Sequence, residues 1–364
     1  MAPVGKGFFI WKIPNCENGD ALAIAETAYQ AGLTHVLIKI ANGIYDYNYD
    51  SASRNDLVAP VANALHARGI KVWGWHYVFG DLPRDEAKAA IRQINKLPLD
   101  GYVIDAESEY KNKYTPCRIF MSELRDALPD FPTALSSFRY PKYHMELPWN
   151  DFLKYCDYNM PQVYWEQSHN PDYQLERSLN EFKTAVQPFR TYIPTGAAYC
   201  AGGWCTTIED INLFLNKAVA LNMSAINFWS WDYCRLKLPH IWNAIAAYDW
   251  PNAPNPEKTI LEQLFIVLNN KDMDEISRIY ANDAIHINAM RTIQGSDAIH
   301  GFYRSLVNSE YKDHTFKLVK VEGDPHTKQM VWQILKGDLV KETHEDTVGL
   351  LKDQIIYHYS SLNI

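Results

Sequence analysis

The chain has 364 residues, 47% hydrophobic and 21% charged, the proportions of a globular protein too long for one small core. Its formal charge of −8 disfavours nucleic acid and anionic membrane surfaces, so neither is expected as a partner. No stretch approaches the ~18 apolar residues of a spanning helix, and the N-terminal MAPVGKGFFIWKIP carries no secretory leader pattern. No membrane insertion is expected, and the compartment defaults to the cytoplasm.

From Gly7 to about Tyr248, apolar and β-branched runs alternate with amphipathic stretches. The predicted strands are Gly7–Ile13, His35–Ile40, Lys71–His76, Tyr102–Asp105, Thr133–Ser137, Tyr158–Tyr164, Thr191–Thr195 and Ala225–Trp231. Between them, spacings of three and four predict helices at Ala21–Ala31, Leu57–Arg68, Pro83–Leu97, Pro116–Leu128, Gln174–Val186, Ile208–Leu221 and Pro239–Ala247. Eight strands in βα alternation predict an α/β fold, a (β/α)8 TIM barrel over residues 1–249. An open doubly wound sheet is the alternative, but no Gly-rich phosphate loop follows the first strand.

Three prolines in Trp250-Pro-Asn-Ala-Pro-Asn-Pro-Glu257 predict a linker over 250–257. The tail, 258–364, then reads as helices at Thr259–Asn269, Met273–Tyr280 and Ser296–Leu306. Strands follow at His314–Val321, Gln329–Lys336, Glu342–Leu351 and Gln354–Ser361, a small α+β domain. The six cysteines lack metal-ligand spacing and are expected as free buried thiols. Cys200-Ala-Gly-Gly-Trp-Cys205 is the one stretch that could close a small loop in an oxidising compartment.

The most informative stretch is Gly101-Tyr-Val-Ile-Asp-Ala-Glu-Ser108. On a strand, Asp105 and Glu107 point to the same side, and paired carboxylates serve glycoside hydrolysis: one protonates the leaving oxygen, the other stabilises or orients. In a barrel, working residues lie at the C-terminal strand ends. Those ends add Lys39, Trp75, Tyr77, Arg139, Gln162, Tyr164, Trp229, Trp231 and Asp232, polar and aromatic groups suited to a sugar. The plainer reading gives the carboxylates a structural salt bridge to Lys39 or Arg139 and the tryptophans a packing role. His76, His144 and His169 show no metal-ligand spacing, so no metal and no cofactor is expected.

On these residues the large domain resembles glycoside hydrolase barrels of the family 18 chitinase type, and more loosely family 25 lysozymes. The likeness lies in Asp105-Ala-Glu107, Tyr158-Asn-Met-Pro-Gln-Val-Tyr164 and Ile226-Asn-Phe-Trp-Ser-Trp231. It implies Glu107 as general acid with Asp105 orienting it, Tyr164 or Gln162 against an acetamido group, and Trp229 or Trp231 beneath the sugar. The implied ligand is a glycan with N-acetylated sugars. There are two departures from the pattern: Tyr102 and Val103 stand where chitinases carry further aspartates, and Phe9, Trp11 and Lys12 where family 25 lysozymes carry one. The alternative is therefore a non-catalytic carbohydrate- or small-molecule-binding protein on a decayed hydrolase barrel.

The tail resembles the nuclear transport factor 2-like superfamily, in particular its SnoaL-like members, through Tyr280-Ala-Asn-Asp-Ala-Ile-His286 and Gln294-Gly-Ser-Asp-Ala-Ile-His-Gly-Phe302. The resemblance implies a cone-shaped pocket lined by His286, Asn288, Tyr303, Trp332, His344 and Tyr357, with His286 or His344 as a base. A dimerisation or ligand-binding module, pairing the chain as a homodimer, is the favoured expectation.

Overall fold

The computed structural model describes residues 3–50, 55–251, 259–271, 273–324, 326–337, 339–351 and 354–362. The chain forms two compact units, Met1–Glu257 and Lys258–Ile364. From residue 252 onward the expected linker lies outside the described residues, whereas Trp250 is buried in the first unit's core.

The first unit is built on ten parallel strands: β1 (Gly5–Ile10), β2 (Leu33–Asn42), β3 (Lys71–Val78), β4 (Gly101–Ala106), β5 (Thr133–Ser136), β6 (Tyr158–Asn159), β7 (Gln162–Val163), β8 (Thr191–Tyr192), β9 (Thr195–Ala197) and β10 (Ala225–Trp229). They pair in the order β7-β9-β10-β1-β2-β3-β4-β5-β6-β8, a curled half-barrel sheet, with Tyr45–Asp46 added antiparallel to β2. Each of the stretches expected as strands six and seven is split in two, at Met160-Pro161 and Ile193-Pro194. Proline has no N–H for the ladder, which is why the pairing lapses there. The sheet is therefore described by this pairing path and not as a closed barrel.

Burial follows the strand period of two. Phe8 and Ile10, Val36 and Ile38 belong to one buried cluster with the helices α1 (Ala21–Gln30), α2 (Val58–His66), α3 (Pro83–Lys96) and α4 (Tyr114–Ala127). Phe9, Leu37, Trp73, Trp75, Val103, Ala134, Met160, Ile193 and Ala225 form a second cluster on the opposite, inner face. Continuing that face by two residues toward the strand C-termini gives Lys39, Tyr77, Asp105, Ser136 and Asn227. At the other end, the buried Lys6 ammonium donates to the carbonyls of Ile245, Ala246 and Tyr248 at 2.8, 3.0 and 2.6 Å, which satisfies the C-terminus of the helix Pro239–Ala247.

The run expected as a strand to Trp231 stops at Trp229. Trp231 instead opens the helix Trp231–Lys237. The free-thiol expectation fails at one pair: Cys200–Ala201 and Trp204–Cys205 form an antiparallel hairpin that sets Cys200 directly opposite Cys205, and the two are disulfide-bonded. Gly202 and Gly203, at φ 56° and 85°, supply the turn that other residues resist. The remaining cysteines, Cys16, Cys117, Cys156 and Cys234, are free and buried.

The second unit has a six-stranded sheet of β11 (Tyr280–Ile287), β12 (Thr292–Gln294), β13 (Thr315–Gly323), β14 (Thr327–Lys336), β15 (Leu339–Leu351) and β16 (Gln354–Tyr359), ordered β12-β11-β16-β15-β14-β13. The β11/β16 pair is parallel and the others antiparallel. Helix Ile260–Asn270 starts at a reciprocal cap in which Thr259 and Glu262 bond each other's backbone. That helix and Ser296–Asn308 close one face of the sheet around Leu264, Phe302, Leu306, Trp332 and Val348.

Candidate functional site

Asp105 lies on β4, and Glu107 follows the strand's last residue, Ala106, where the backbone has already left the strand conformation (φ −123°, ψ −142°). Both carboxylates enter a cavity of about 310 Å³ lined also by Phe9, Ser136, Gln162, Tyr164, Glu166, Tyr199 and Trp229. One nitrogen joins them: Gln162 Nε2 donates to Asp105 Oδ1 at 3.0 Å and to Glu107 Oε1 at 2.9 Å. The amide thus spends both N–H bonds on the pair and fixes its geometry.

Asp105 is 6% exposed, and its burial, then the Glu107 charge, raises its carboxyl well above the usual carboxylate range. Burial also raises Glu107, assisted by Glu109 and opposed by the Gln162 donation and the Lys39 charge. Two such groups hold a proton between them where isolated carboxylates would have lost it. Lys39 is the nearby cation. Its Nζ donates to Asn42 Oδ1 at 2.9 Å and lies 4.5, 4.6, 5.7 and 5.9 Å from the ring centres of Tyr47, Trp75, Tyr77 and Trp11. Burial lowers it to about 8, against the opposing pull of Asp105 and Glu107. Among the described residues its ammonium makes no direct ion pair with either carboxylate, so the salt-bridge alternative reduces to attraction through space.

Aromatic rings wall the site. Trp229 packs against Phe9, Trp11 and Trp75 at 5.9, 6.1 and 5.4 Å between ring centres, and Tyr164 meets Tyr199 edge-on at 5.4 Å. Trp75 donates its indole N–H to Ile10 O, and the Tyr77 hydroxyl donates to Glu109 at 2.7 Å. Six expected residues are not among those lining the cavity: Lys39, Trp75 and Tyr77 stay on the inner face of the sheet without reaching it, and Trp231, Asp232 and Arg139 are engaged elsewhere. Trp231 is 0% exposed, donates to Glu17 at 2.8 Å and packs on Phe8 and Trp242, so its ring is not free to lie under a sugar. Asp232 accepts from the Trp11 backbone, and Arg139 lies over Tyr140; neither lines the cavity. Glu166 and Phe9 also line it, although the strand ends point to neither. Glu166 sits in a loop whose course no periodicity announces, whereas the alternation of β1 marked Phe9 as inward.

In the second unit His286 and Tyr303 come together, with partners outside the pocket that the resemblance implies: Tyr280, Asp346 and His358. Asp346 Oδ2 accepts from His358 Nε2 at 3.0 Å, Trp332 Nε1 at 2.7 Å and Ser360 Oγ at 3.0 Å, while Oδ1 accepts from the Ser361 backbone at 2.9 Å. Burial pushes that carboxyl up, but these donors outweigh it and hold the group below its ordinary value. Asn288 closes a turn through Met290 N and Arg291 N, and His344 stacks on Trp332 at 4.6 Å with Nε2 near Glu342. None of the six expected residues is among those lining the cavity described for this unit. The cavity found here, about 270 Å³, is bounded by Arg291, Ile293, Phe302, Ser305, Leu306 and Glu310 among others. No cluster of His, Cys, Asp or Glu among the described residues could hold a metal ion.

No family model and no curated protein matches the chain. Among solved structures, it is similar to a glycoside hydrolase family 18 N-acetylglucosaminidase from Paenibacillus barengoltzii, at 11% identity over 67% of this chain and 99% of the other, TM-score 0.47. It is also similar to a SnoaL-like family protein from Agrobacterium tumefaciens, at 13% identity over 29% of this chain and 95% of the other, TM-score 0.26. An NTF2-like protein of unknown function from Cytophaga hutchinsonii matches at 12% over 29% and 87%, TM-score 0.24. Identities and scores this low bring no substrate and no residue role to this chain.

Proposed function

We propose that the first unit is a glycoside hydrolase-type (β/α)8 barrel acting on a glycan with N-acetylated sugars, with Glu107 as general acid. On this reading residues 1–249 form the barrel, 250–257 the linker and 258–364 an NTF2-like domain. Closure is supported by the pairing of β6 with β8 and of β7 with β9: taken as single strands broken at proline, 158–163 and 191–197 join the two ends of the sheet.

The observation that carries the reading is the Asp105–Glu107 pair, raised by burial, bridged by Gln162 and facing an aromatic-walled cavity. Asp105 is the deeper of the two, and burial raises both carboxyls. A sugar laid against Trp229 strips water from Glu107 and raises it further, so that it delivers a proton to the glycosidic oxygen as that bond breaks. The acetamido carbonyl oxygen attacks the anomeric carbon, held by the Tyr164 hydroxyl and Asp105. Water then opens the intermediate with Glu107 as base, restoring the acid.

A second reading, binding without hydrolysis, is favoured by Phe9, which puts a ring where a strand-one carboxylate would face the substrate. Release of reducing ends from N-acetylglucosamine oligomers separates the two. Turnover in the wild type that is lost in Glu107→Gln supports the enzyme. Sugar binding without turnover in either supports the binding protein.

A further inference from the structure

The cavity that holds the acid pair is one-sided in charge. Three carboxylates, Asp105, Glu107 and Glu166, and four aromatic rings line it, and no lysine, arginine or histidine does. Lys39 acts on the pair only through space, its ammonium being held by Asn42 and the rings of Tyr47 and Trp75. The steps proposed above use Asp105 and Glu107 and leave Glu166 without a task.

Glu166 lies in the loop after β7 and is exposed, so it stands at the mouth of the cavity, while Asp105 lies deep. Among the described residues its carboxylate makes no ion pair; it accepts the Tyr199 hydroxyl. Tyr199 packs on Tyr164 at 5.4 Å and on Trp204 at 6.2 Å between ring centres, and Trp204 donates its indole N–H to Ser168 O at 2.8 Å. The carboxylate is thus held in place beside aromatic rings, with no cation of the protein to meet it. A ligand ammonium gains there a charge-assisted hydrogen bond and the attraction of the ring faces. A separate observation comes from Ser136, the cross-strand neighbour of Asp105, which lines the cavity and is 2% exposed. Its hydroxyl has no hydrogen-bond partner among the described residues, and a buried hydroxyl is costly unless paired. The inner end of the cavity therefore suits a ligand rich in polar groups, as a sugar is, and not an apolar amine.

We infer that the site selects a partly N-deacetylated glycan, in which the sugar at Glu107 keeps its acetamido group and a neighbouring sugar presents a protonated amine to Glu166. This rests on the glycan reading of the same cavity and adds to it the substrate class and a residue that determines specificity. The chain's charge of −8 draws such a polycation toward the site.

The test is calorimetry on the full chain carrying Glu107→Gln, so that no probe is cleaved, at a pH where sugar amines are protonated. The probes are the fully acetylated N-acetylglucosamine tetramer and the same tetramer with alternate sugars deacetylated. The deacetylated tetramer should bind ~10-fold more tightly, and the advantage should shrink as salt is added. Adding Glu166→Gln should bring the ratio of the two affinities to about one, and Tyr199→Phe, which releases the carboxylate, should lower it in part. Far-ultraviolet circular dichroism checks that each variant is folded. Equal affinities with Glu166 in place, an advantage that survives in folded Glu166→Gln, or a tetralysine peptide that binds as tightly would overturn the inference and leave the glycan reading standing. Binding of neither tetramer would overturn the glycan reading, and the inference with it.

Discussion

Gln162→Met keeps the length of the side chain and removes its donors. In the wild type one amide nitrogen serves two carboxylates, at 3.0 and 2.9 Å. A hydrogen bond to a charged group contributes ~1.5–3 kcal/mol, and a pKa unit corresponds to ~1.4 kcal/mol. Loss of the donor should therefore raise the apparent midpoints of the Asp105–Glu107 pair by ~1–2 units. Both carboxyls already titrate above their unfolded values, so the folded state holds more protons than the unfolded chain and stability falls as pH rises through that window. The variant should extend the window upward and steepen the loss toward neutral pH. Carboxyl carbon NMR of selectively labelled protein reads the midpoints without any substrate. Midpoints that stay in place or move down would show that Gln162 does not hold the pair.

Acid should act through other groups. His35 and His76 are fully buried and lowered by that burial to about 4; the unfolded chain takes up these protons first, so stability present above the ordinary histidine range is lost as pH falls, by ~2 kcal/mol each near pH 5. A thermal midpoint unchanged between pH 7 and about 5 would refute this assignment. Gly7→Ala should lower stability by ~1–3 kcal/mol, because a Cβ there would meet the His35 ring at 2.3 to 2.8 Å, and that ring is pinned by Thr34 and Asn227; denaturant unfolding measures it. Reducing Cys200–Cys205 opens the short loop that the disulfide closes and should weaken the hairpin by ~2 kcal/mol, loosening Tyr199 at the cavity wall; amide exchange at 199–205 that ignores reductant would count against it.

Much of the first unit's layout was legible because it rests on local rules. Alternation on β4 turned Asp105 inward, with Glu107 just past the strand's end, and the same alternation on β2 and β3 turned Lys39, Trp75 and Tyr77 inward. What stayed hidden was set by distant contacts. Nothing local says that Gln162 reaches both carboxylates, or that Ser230 ends a strand so that the Trp231 indole turns to Glu17. The aromatic run Phe228–Trp231 has the composition of a strand, and tertiary packing overrode it. In the tail, His344, Asp346 and Val348 alternate, so the period marked Asp346 as inward. His358 could not be placed beside His286, because the register across β11 and β16 shifts between Tyr280 and Ile285.

The most direct test follows an N-acetylglucosamine oligomer by time-resolved proton NMR with the wild type and Glu107→Gln. The account predicts new reducing ends of retained anomeric configuration in the wild type and none in the variant. Inverted products, or cleavage that survives in Glu107→Gln, would contradict it.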